Sequence, residues 1–121
     1  MKYEVNDDGK TATITGYEGA AGGDLIIPET IDGYTVTSIG ESAFYKCSGF
    51  TGDLVIPSKI DKIEDNAFRG CSSITRVINN SNISVPLDNF KNDASLYWTN
   101  EQGTQIHEIA NGIATRSDYN K

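Results

Sequence analysis

The chain is poor in the residue types on which most small catalytic and metal sites depend. Its 121 residues include two cysteines and one histidine, His107. Two cysteines cannot build a disulfide framework, and with one histidine they do not supply a zinc site at ligand spacing. A nucleophile and base pair would need Cys47 or Cys71 beside His107, but both cysteines are expected to be buried. We therefore expect no enzymatic activity, no metal and no cofactor.

Long apolar runs and basic clusters are also missing. The longest apolar run is three residues, as at 25–27, far below the roughly 20 that span a bilayer. The formal net charge is -7 and no stripe of Lys and Arg is present, which argues against nucleic acids and anionic lipids as partners. We expect no membrane insertion. Because the first residues lack the apolar core of a signal peptide, the protein is either cytoplasmic or exported by a signal outside this sequence.

What the chain does contain is an internal repeat. The segment 39–51 (IGESAFYKCSGFT) recurs 24 residues later at 63–75 (IEDNAFRGCSSIT). Just upstream, GDLIIP at 23–28 returns as GDLVIP at 52–57, a shift of 29 residues, so the first copy carries five extra residues at about 33–37. A period in the twenties is typical of a solenoid, in which each repeat forms one coil and neighbouring coils stack.

Each coil is predicted to open with a short strand that is buried on one side. Leu25 and Ile27, like Leu54 and Ile56, alternate with outward residues, and a proline ends each strand. Parallel pairing of these strands with a third near Val77 would satisfy their backbone groups. A second inward set is expected in each coil, at Val36 and Ile39 in the first and at Ile60 and Ile63 in the second.

The corner that follows has helical rather than strand spacing. Ala43 and Phe44 lie four and three residues before Cys47, which would place all three on one face of a helical turn with Ser42 as its N-cap. The second coil repeats the pattern at Ala67, Phe68 and Cys71, after Asn66 as the N-cap. We therefore expect short helical turns, with the Phe44 and Phe68 rings stacked in the core.

The cysteines occupy equivalent positions of the two repeats, which explains them without a catalytic role. We expect Cys47 and Cys71 to stack toward the core as buried free thiols. Coils about 4.8 Å apart leave a strained disulfide open as an alternative. A reactive thiol is the third alternative.

The N-terminal residues 1–22 are predicted to form a hairpin cap and an entry into the first coil. Tyr3 and Val5 alternate in one strand, and Ala12 and Ile14 in the next. Between them, Asp7-Asp8-Gly9 is typical of a tight turn. It lacks the alternating oxygen ligands of a calcium-binding loop.

The C-terminal part departs from the repeat as well. In the third coil Asn79-Asn80 stand where Ile-Pro would be expected. Residues 93–121 predict a small β-meander with a hairpin turn at Asn111-Gly112, and Trp98 is expected to cover the end of the coil stack. We therefore expect a single domain, 1–121, with two full repeats and one degenerate repeat at 23–92 between β caps.

The series Leu-x-Ile-Pro followed by Ser-Ile-Gly-x-x-Ala-Phe-x-x-Cys-Ser resembles the BspA-like leucine-rich repeats of many bacterial surface and secreted proteins. The resemblance covers about residues 24–92, and the segments 13–17 and 31–36 look like that family's N-terminal entry. It implies a right-handed solenoid with a parallel sheet on its concave side, a cell-surface or secreted location, and a role in adhesion or host-protein binding. The family offers no catalytic residues to carry over.

The outward side of the predicted strands is the candidate binding surface. Side chains alternate between the two faces of a strand, so the residues that lie between the inward ones face outward. They are Ile26, Val55 and Ile78. With Tyr34 and Tyr45 nearby, they are the expected contacts of a protein partner, either a host protein or a second copy. Three such strands cover only about 190 Å², against about 800 Å² per partner in a standard interface. Flanking loops such as 33–37, a second copy or further repeats would have to contribute.

An alternative function needs no ligand at all. β-Branched residues favour strands for conformational reasons, so an outward row of them is also expected in a purely structural scaffold or assembly module.

Overall fold

The computed structural model describes residues 1–18, 22–90 and 96–118. Within these ranges the chain forms short β-strands and one 3-10 turn, Asp88–Phe90. The strands are β1 Lys2–Val5, β2 Thr11–Gly16, β3 Leu25–Ile26, β4 Thr30–Ile31, β5 Tyr34–Ile39, β6 Asp53–Ile56, β7 Lys62–Ile63, β8 Arg76–Asn79, β9 Val85–Pro86, β10 Leu96–Thr99, β11 Gln105–Ile106, β12 Glu108–Ile109 and β13 Gly112–Asp118. None of these residues forms a helix long and apolar enough to cross a bilayer.

The first sheet joins the N-terminal hairpin to the coils. β1 and β2 pair antiparallel as predicted, and β2 continues the sheet by pairing in parallel with β5, which pairs in parallel with β7. The inward positions Ala12, Ile14, Val36 and Ile39 are all fully buried. The hairpin therefore contributes directly to the core rather than standing apart from it.

The turn of this hairpin is held by the side chain of Asp8, which confirms the turn interpretation. The Asp8 carboxylate accepts bonds from the N–H groups of Lys10 and Thr11, at 2.8 and 2.9 Å, and from the Thr11 hydroxyl at 2.7 Å. These bonds, that from Lys10 first, lower the pKa of Asp8. Gly9 takes the left-handed backbone conformation that the turn requires, with φ 69°.

The second sheet contains the repeated strands in the predicted parallel order. β3 pairs with β6 through Leu25 and Leu54, and β6 pairs with β8 through Leu54 and Val77. These three side chains are buried. The sheet is mixed rather than purely parallel, because β13 pairs antiparallel with β8 and β10 pairs antiparallel with β13.

Four of the five extra residues of the first coil, 34–37, lie in β5, and Gly33 belongs to a tight turn, so the prediction of a loop at 33–37 is wrong. β4 and β5 form a tight antiparallel hairpin around Asp32 and Gly33. Both turn residues have positive φ, 50° and 88°, as a two-residue hairpin turn requires. The sequence Tyr-Thr-Val-Thr that follows is rich in β-formers, which favours a strand over a loop.

The corner after each strand set is a series of β-turns, so the prediction of helical turns is wrong. Alternate N–H groups donate across to the next coil: those of Ser42, Phe44 and Lys46 reach the carbonyls of Asp65, Ala67 and Arg69. The N–H groups between them close turns onto the carbonyl three residues earlier, from Ala43 to Gly40, from Tyr45 to Ser42 and from Cys47 to Phe44. In a helix these N–H groups would bond to carbonyls of the same segment. In stacked coils they bond instead to carbonyls of the next coil, which would otherwise have no partner.

Ser42 and Asn66 are not N-caps. Their φ values are 55° and 59°, in the left-handed region, whereas an N-cap residue is usually extended. Lys46 and Gly70 repeat the left-handed conformation one turn later, with φ 59° and 85°. Each residue with positive φ prevents the segment from winding into a helix, so the segment stays extended enough to pair with the neighbouring coil.

An aromatic column runs through the core and confirms the predicted ring stack. The Phe44 and Phe68 rings are 5.5 Å apart and nearly parallel, at 4°. Phe90 continues the column 5.8 Å from Phe68, and Trp98 follows 5.8 Å from Phe90 in an edge-to-face contact. All four rings are 2% exposed or less. The column therefore links the three coils to β10.

The two cysteines are free thiols with different environments. Cys71 is fully buried and its Sγ donates to the Phe44 carbonyl oxygen at 3.0 Å. Burial, assisted by the neighbouring Cys47, raises the pKa of the Cys71 thiol to about 12. Cys47 is only half-buried, so the expectation that both thiols are buried is wrong for the first coil. Partial burial still raises the pKa of the Cys47 thiol.

We expect this difference to appear in thiol labelling. Iodoacetamide at pH about 8 should modify Cys47 slowly in the native protein and leave Cys71 unmodified, since only the thiolate reacts and Cys71 is neither exposed nor ionised. Mass spectrometry of the Cys47→Ser and Cys71→Ser variants assigns the site. Both cysteines should label quickly in denaturant. Native labelling of Cys71 at the unfolded rate would contradict its position in the core.

The C-terminal strands do not form the predicted meander. β11 pairs with one side of β10 and β13 pairs with the other, while β12 leaves this sheet to pair with β9. Asn111-Gly112 is therefore not the turn between neighbouring strands. β13 is long enough to bond β8 on one edge and β10 on the other, and this occupies the sheet edge that the third coil would otherwise leave open.

Candidate protein-binding surface

The outward face of the second sheet carries the predicted row of apolar residues. Register places Ile26 beside Val55 and Val55 beside Ile78. β13 adds Ile113 next to Ile78. We call these four residues the outward row. All are β-branched, and each follows or precedes a buried residue of its strand, as the side-chain period of two requires.

Exposure varies along the outward row. Ile26 is 60% exposed, whereas Val55, Ile78 and Ile113 are half-buried by their neighbours in the sheet. Ile26 lies in β3, the edge strand of the sheet, where no further strand is described on its free side. The Ile27 N–H donates to the Val55 carbonyl oxygen of β6. In a parallel sheet the backbone groups of successive residues point to opposite sides of the strand, so the N–H and C=O of Ile26 point away from β6. An accessible side chain and a free strand edge therefore coincide at Ile26.

A charged row borders the outward row on one side. Arg76 makes a two-pronged ion pair with Asp53, with Nε to Oδ1 at 3.1 Å and Nη2 to Oδ2 at 2.7 Å. The hydrogen bonds to Asp53 raise the pKa of Arg76. Asp24 completes the border by accepting the Asp53 N–H at 2.8 Å. An apolar strip with a satisfied polar margin has the anatomy of a small protein interface.

The area of the sheet limits what this face can bind by itself. Six strands about 4.8 Å apart, with an average length of about four residues at about 3.3 Å per residue, project roughly 380 Å². A standard interface needs about 800 Å² per partner. A stable complex therefore needs contacts beyond the sheet.

The structure places the two predicted tyrosines on other elements. Tyr34 lies in β5 of the first sheet, with its ring 6.2 Å from that of Tyr3. The Tyr3 hydroxyl donates to Asp32 Oδ2 at 2.6 Å, and this bond raises the pKa of Tyr3. Tyr45 lies in the turns of the first coil and is 46% exposed. Register thus brings Ile26, Val55 and Ile78 together, and assigns Tyr34 and Tyr45 to separate surfaces.

Ile113 was missed by the sequence reasoning. Its strand carries no repeat, so its register against β8 is not encoded in the 24-residue period. The available signal was the alternation around Ala114, which is fully buried and so predicts that Ile113 faces outward.

The histidine and the buried cysteine are not gathered into a site. His107 is exposed, with Nδ1 3.5 Å from Asp88 Oδ1, whereas Cys71 is buried against the Phe44 carbonyl. Across residues 1–18, 22–90 and 96–118, no group of three or more His, Cys, Asp or Glu side chains is placed to hold a metal ion.

Comparison with known proteins gives two matches of different kinds. The family model described as BspA type Leucine rich repeat region (6 copies) matches residues 25–112. Among solved structures, the chain is similar to a leucine-rich repeat protein of T. pallidum, with 30% sequence identity and a TM-score of 0.58. The match covers 63% of this chain and 35% of that one. No curated protein matches.

Proposed function

Because the chain belongs to the BspA-type leucine-rich repeat family and its second sheet carries an ordered apolar row, we propose that it is a non-enzymatic protein-binding module. The outward row is the observation that carries the proposal. A protein partner would pack on Ile26, Val55 and Ile78, with Ile113 as a fourth contact. The family suggests protein interaction in general, and an adhesion role at the bacterial surface or outside the cell is part of the proposal.

We also propose an architecture that presents this surface. The coils are right-handed, the face of the second sheet is the concave side, and the segments 1–22 and 93–121 close the two ends of the stack. Since the match covers 35% of the T. pallidum chain, a longer array of repeats is one source of the additional area that binding requires.

A structural module without a ligand is the second candidate. The observation that favours it is the projected area of about 380 Å², less than half of a standard interface. In that case the outward row is a consequence of strand propensity, and the coils serve to hold a soluble scaffold.

The two candidates differ in their response to a triple substitution, Ile26→Ser, Val55→Ser and Ile78→Ser. We expect it to weaken partner binding or self-association at least about tenfold, because an apolar strip at the centre of an interface carries most of its energy. The fold should persist, since outward positions lose little burial. Biolayer interferometry against a panel of purified extracellular proteins measures binding, and sedimentation velocity measures self-association.

Val5→Ser is the matched control, because Val5 is 43% exposed and lies in β1 of the other sheet. It should leave binding and self-association unchanged. If the triple variant binds as tightly as the wild type, the partner contacts another surface. Absence of binding and self-association in the wild type would favour the scaffold.

A further inference from the structure

The corner turns carry an open cleft on a different face from the outward row. It has a volume of ≈ 420 Å³ and is lined by Tyr45, Lys46, Arg69, Gly70, Asp88 and Asn89. We call it the basic cleft. Its walls come from three successive coils, which the backbone joins: Lys46 N donates to Arg69 O at 2.7 Å, and Gly70 N donates to Asn89 O at 3.3 Å.

The two cations of the basic cleft have no carboxylate partner among the residues that the structure describes. This sets them apart from Lys2, Lys62 and Arg76, each of which forms an ion pair. Lys46 and Arg69 are both exposed. In a chain of net charge -7, two neighbouring cations left unpaired are available to an external anion.

The basic cleft also offers an apolar contact next to its charges. Lys46 Nζ lies 5.3 Å from the centroid of the Tyr45 ring, a cation–π distance that restrains the ammonium group. Tyr45 is 46% exposed, so one part of its surface stays open to a ligand. Tyr and Arg are the residue types enriched at the energetic centres of protein interfaces. An arginine can also bind a carboxylate through two parallel hydrogen bonds.

Two features argue against a polyanion as the ligand. Asp88 lies in the wall of the basic cleft itself. A neighbouring cleft of ≈ 310 Å³ is lined in part by Glu64 and Asp65, and it shares Asn89 with the basic cleft. If a nucleic acid or a sulfated glycan bound at the two cations, its further negative charges would lie close to these carboxylates and be repelled by them.

We infer that the basic cleft binds an acidic peptide segment of a protein, with one carboxylate between Lys46 and Arg69 and an adjoining apolar side chain on the Tyr45 ring. This site lies on the corner turns and stands independently of the outward row. It gives the corner face a specificity for isolated acidic side chains.

The test uses a fluorescein-labelled peptide with a single glutamate next to a leucine and otherwise uncharged residues, titrated with the full chain at low salt and followed by fluorescence anisotropy. The double variant Lys46→Gln and Arg69→Gln should bind about tenfold more weakly, since it removes two exposed ion pairs. Added salt should weaken wild-type binding. In NMR spectra of the labelled protein, the peptide should shift the Tyr45, Lys46 and Gly70 amide signals.

The matched control is the double variant Lys10→Gln and Lys59→Gln, which changes the net charge equally at exposed lysines outside the cleft. It should change affinity less than about twofold, because well-separated surface charges act only through the screened field. Equal weakening by both double variants would reduce the effect to net charge and overturn the inference. So would undetectable binding at millimolar peptide, equal binding of a glutamine and leucine peptide, or tighter binding of a sulfated polysaccharide. Unchanged thermal unfolding of both variants confirms that they remain folded.

Discussion

Truncation of Phe68 to alanine should lower the free energy of unfolding by about 3–5 kcal/mol, the usual cost of removing a buried phenylalanine. Phe68 lies in the middle of the aromatic column, between Phe44 at 5.5 Å and Phe90 at 5.8 Å. Its side chain is 2% exposed. The cavity left by the substitution cannot close easily, because hydrogen bonds between coils hold the backbone on both sides. Urea denaturation followed by circular dichroism measures the change.

The control for Phe68→Ala is Tyr45→Ala, which removes an aromatic ring of similar size from the exposed side of the equivalent turn in the first coil. It should cost less than about 1 kcal/mol, as is usual for surface substitutions. A double-mutant cycle with Phe44→Ala should give a coupling of about 0.5–1.5 kcal/mol for the stacked pair. A loss below about 1 kcal/mol for Phe68→Ala would show that the column is not the centre of the core.

The repeated part of the fold could be predicted from the sequence because two periods determine it together. The 24-residue period specifies which residues of successive coils are equivalent, and the strand period of two specifies which of them face inward. Phe44 beside Phe68 follows from the 24-residue period. Leu54 lies beside Val77, which is 23 residues further on, so this pair follows from the alternation of inward residues in the two strands and not from the repeat period. The same reasoning placed Val55 and Ile78 on the outward face, where the structure has them.

The corner was predicted wrongly for a physical reason. Positions i, i+3 and i+4 share a face in a helix, but successive β-turns also bring residues three apart together, so the spacing of Ala43, Phe44 and Cys47 does not distinguish them. The deciding feature is the left-handed backbone at Ser42 and Lys46, residue types that carry little signal for positive φ. Their conformation is favoured by hydrogen bonds to the next coil, which are tertiary contacts.

The C-terminal pairing was beyond sequence reasoning for a different reason. β13 joins β8 by an antiparallel contact between segments about 35 residues apart, and neither strand repeats the other. Hairpin signals such as Asn-Gly report local pairing only. The pairing of β13 with both β8 and β10 is decided by long-range packing, and so is the addition of Ile113 to the outward row.

Asn79 occupies the position at which the repeat predicts an isoleucine, since register places it beside Ile56 of the preceding coil. It is 1% exposed and its amide is fully engaged. Nδ2 donates to the carbonyls of Ile83 and Ile109, at 2.7 and 2.9 Å. Oδ1 accepts from the N–H and hydroxyl of Ser81, at 3.0 and 2.6 Å. One side chain therefore joins β8 to the following bend and to β12.

Asn79→Ile would restore the repeat consensus, and a comparison of the coils alone predicts that it stabilises the protein. We expect the opposite, a decrease of about 3 kcal/mol or more in the free energy of unfolding. The substitution leaves buried carbonyl, N–H and hydroxyl groups without a hydrogen-bond partner, and each such group costs about 1–3 kcal/mol. Asn80→Ala is the control: the Asn80 side chain is exposed, so its loss should cost less than about 0.5 kcal/mol. Equal or greater stability of Asn79→Ile in urea denaturation would show that the third coil tolerates the apolar consensus. The hydrogen bonds of Asn79 would then not be needed to hold β12 to the coils.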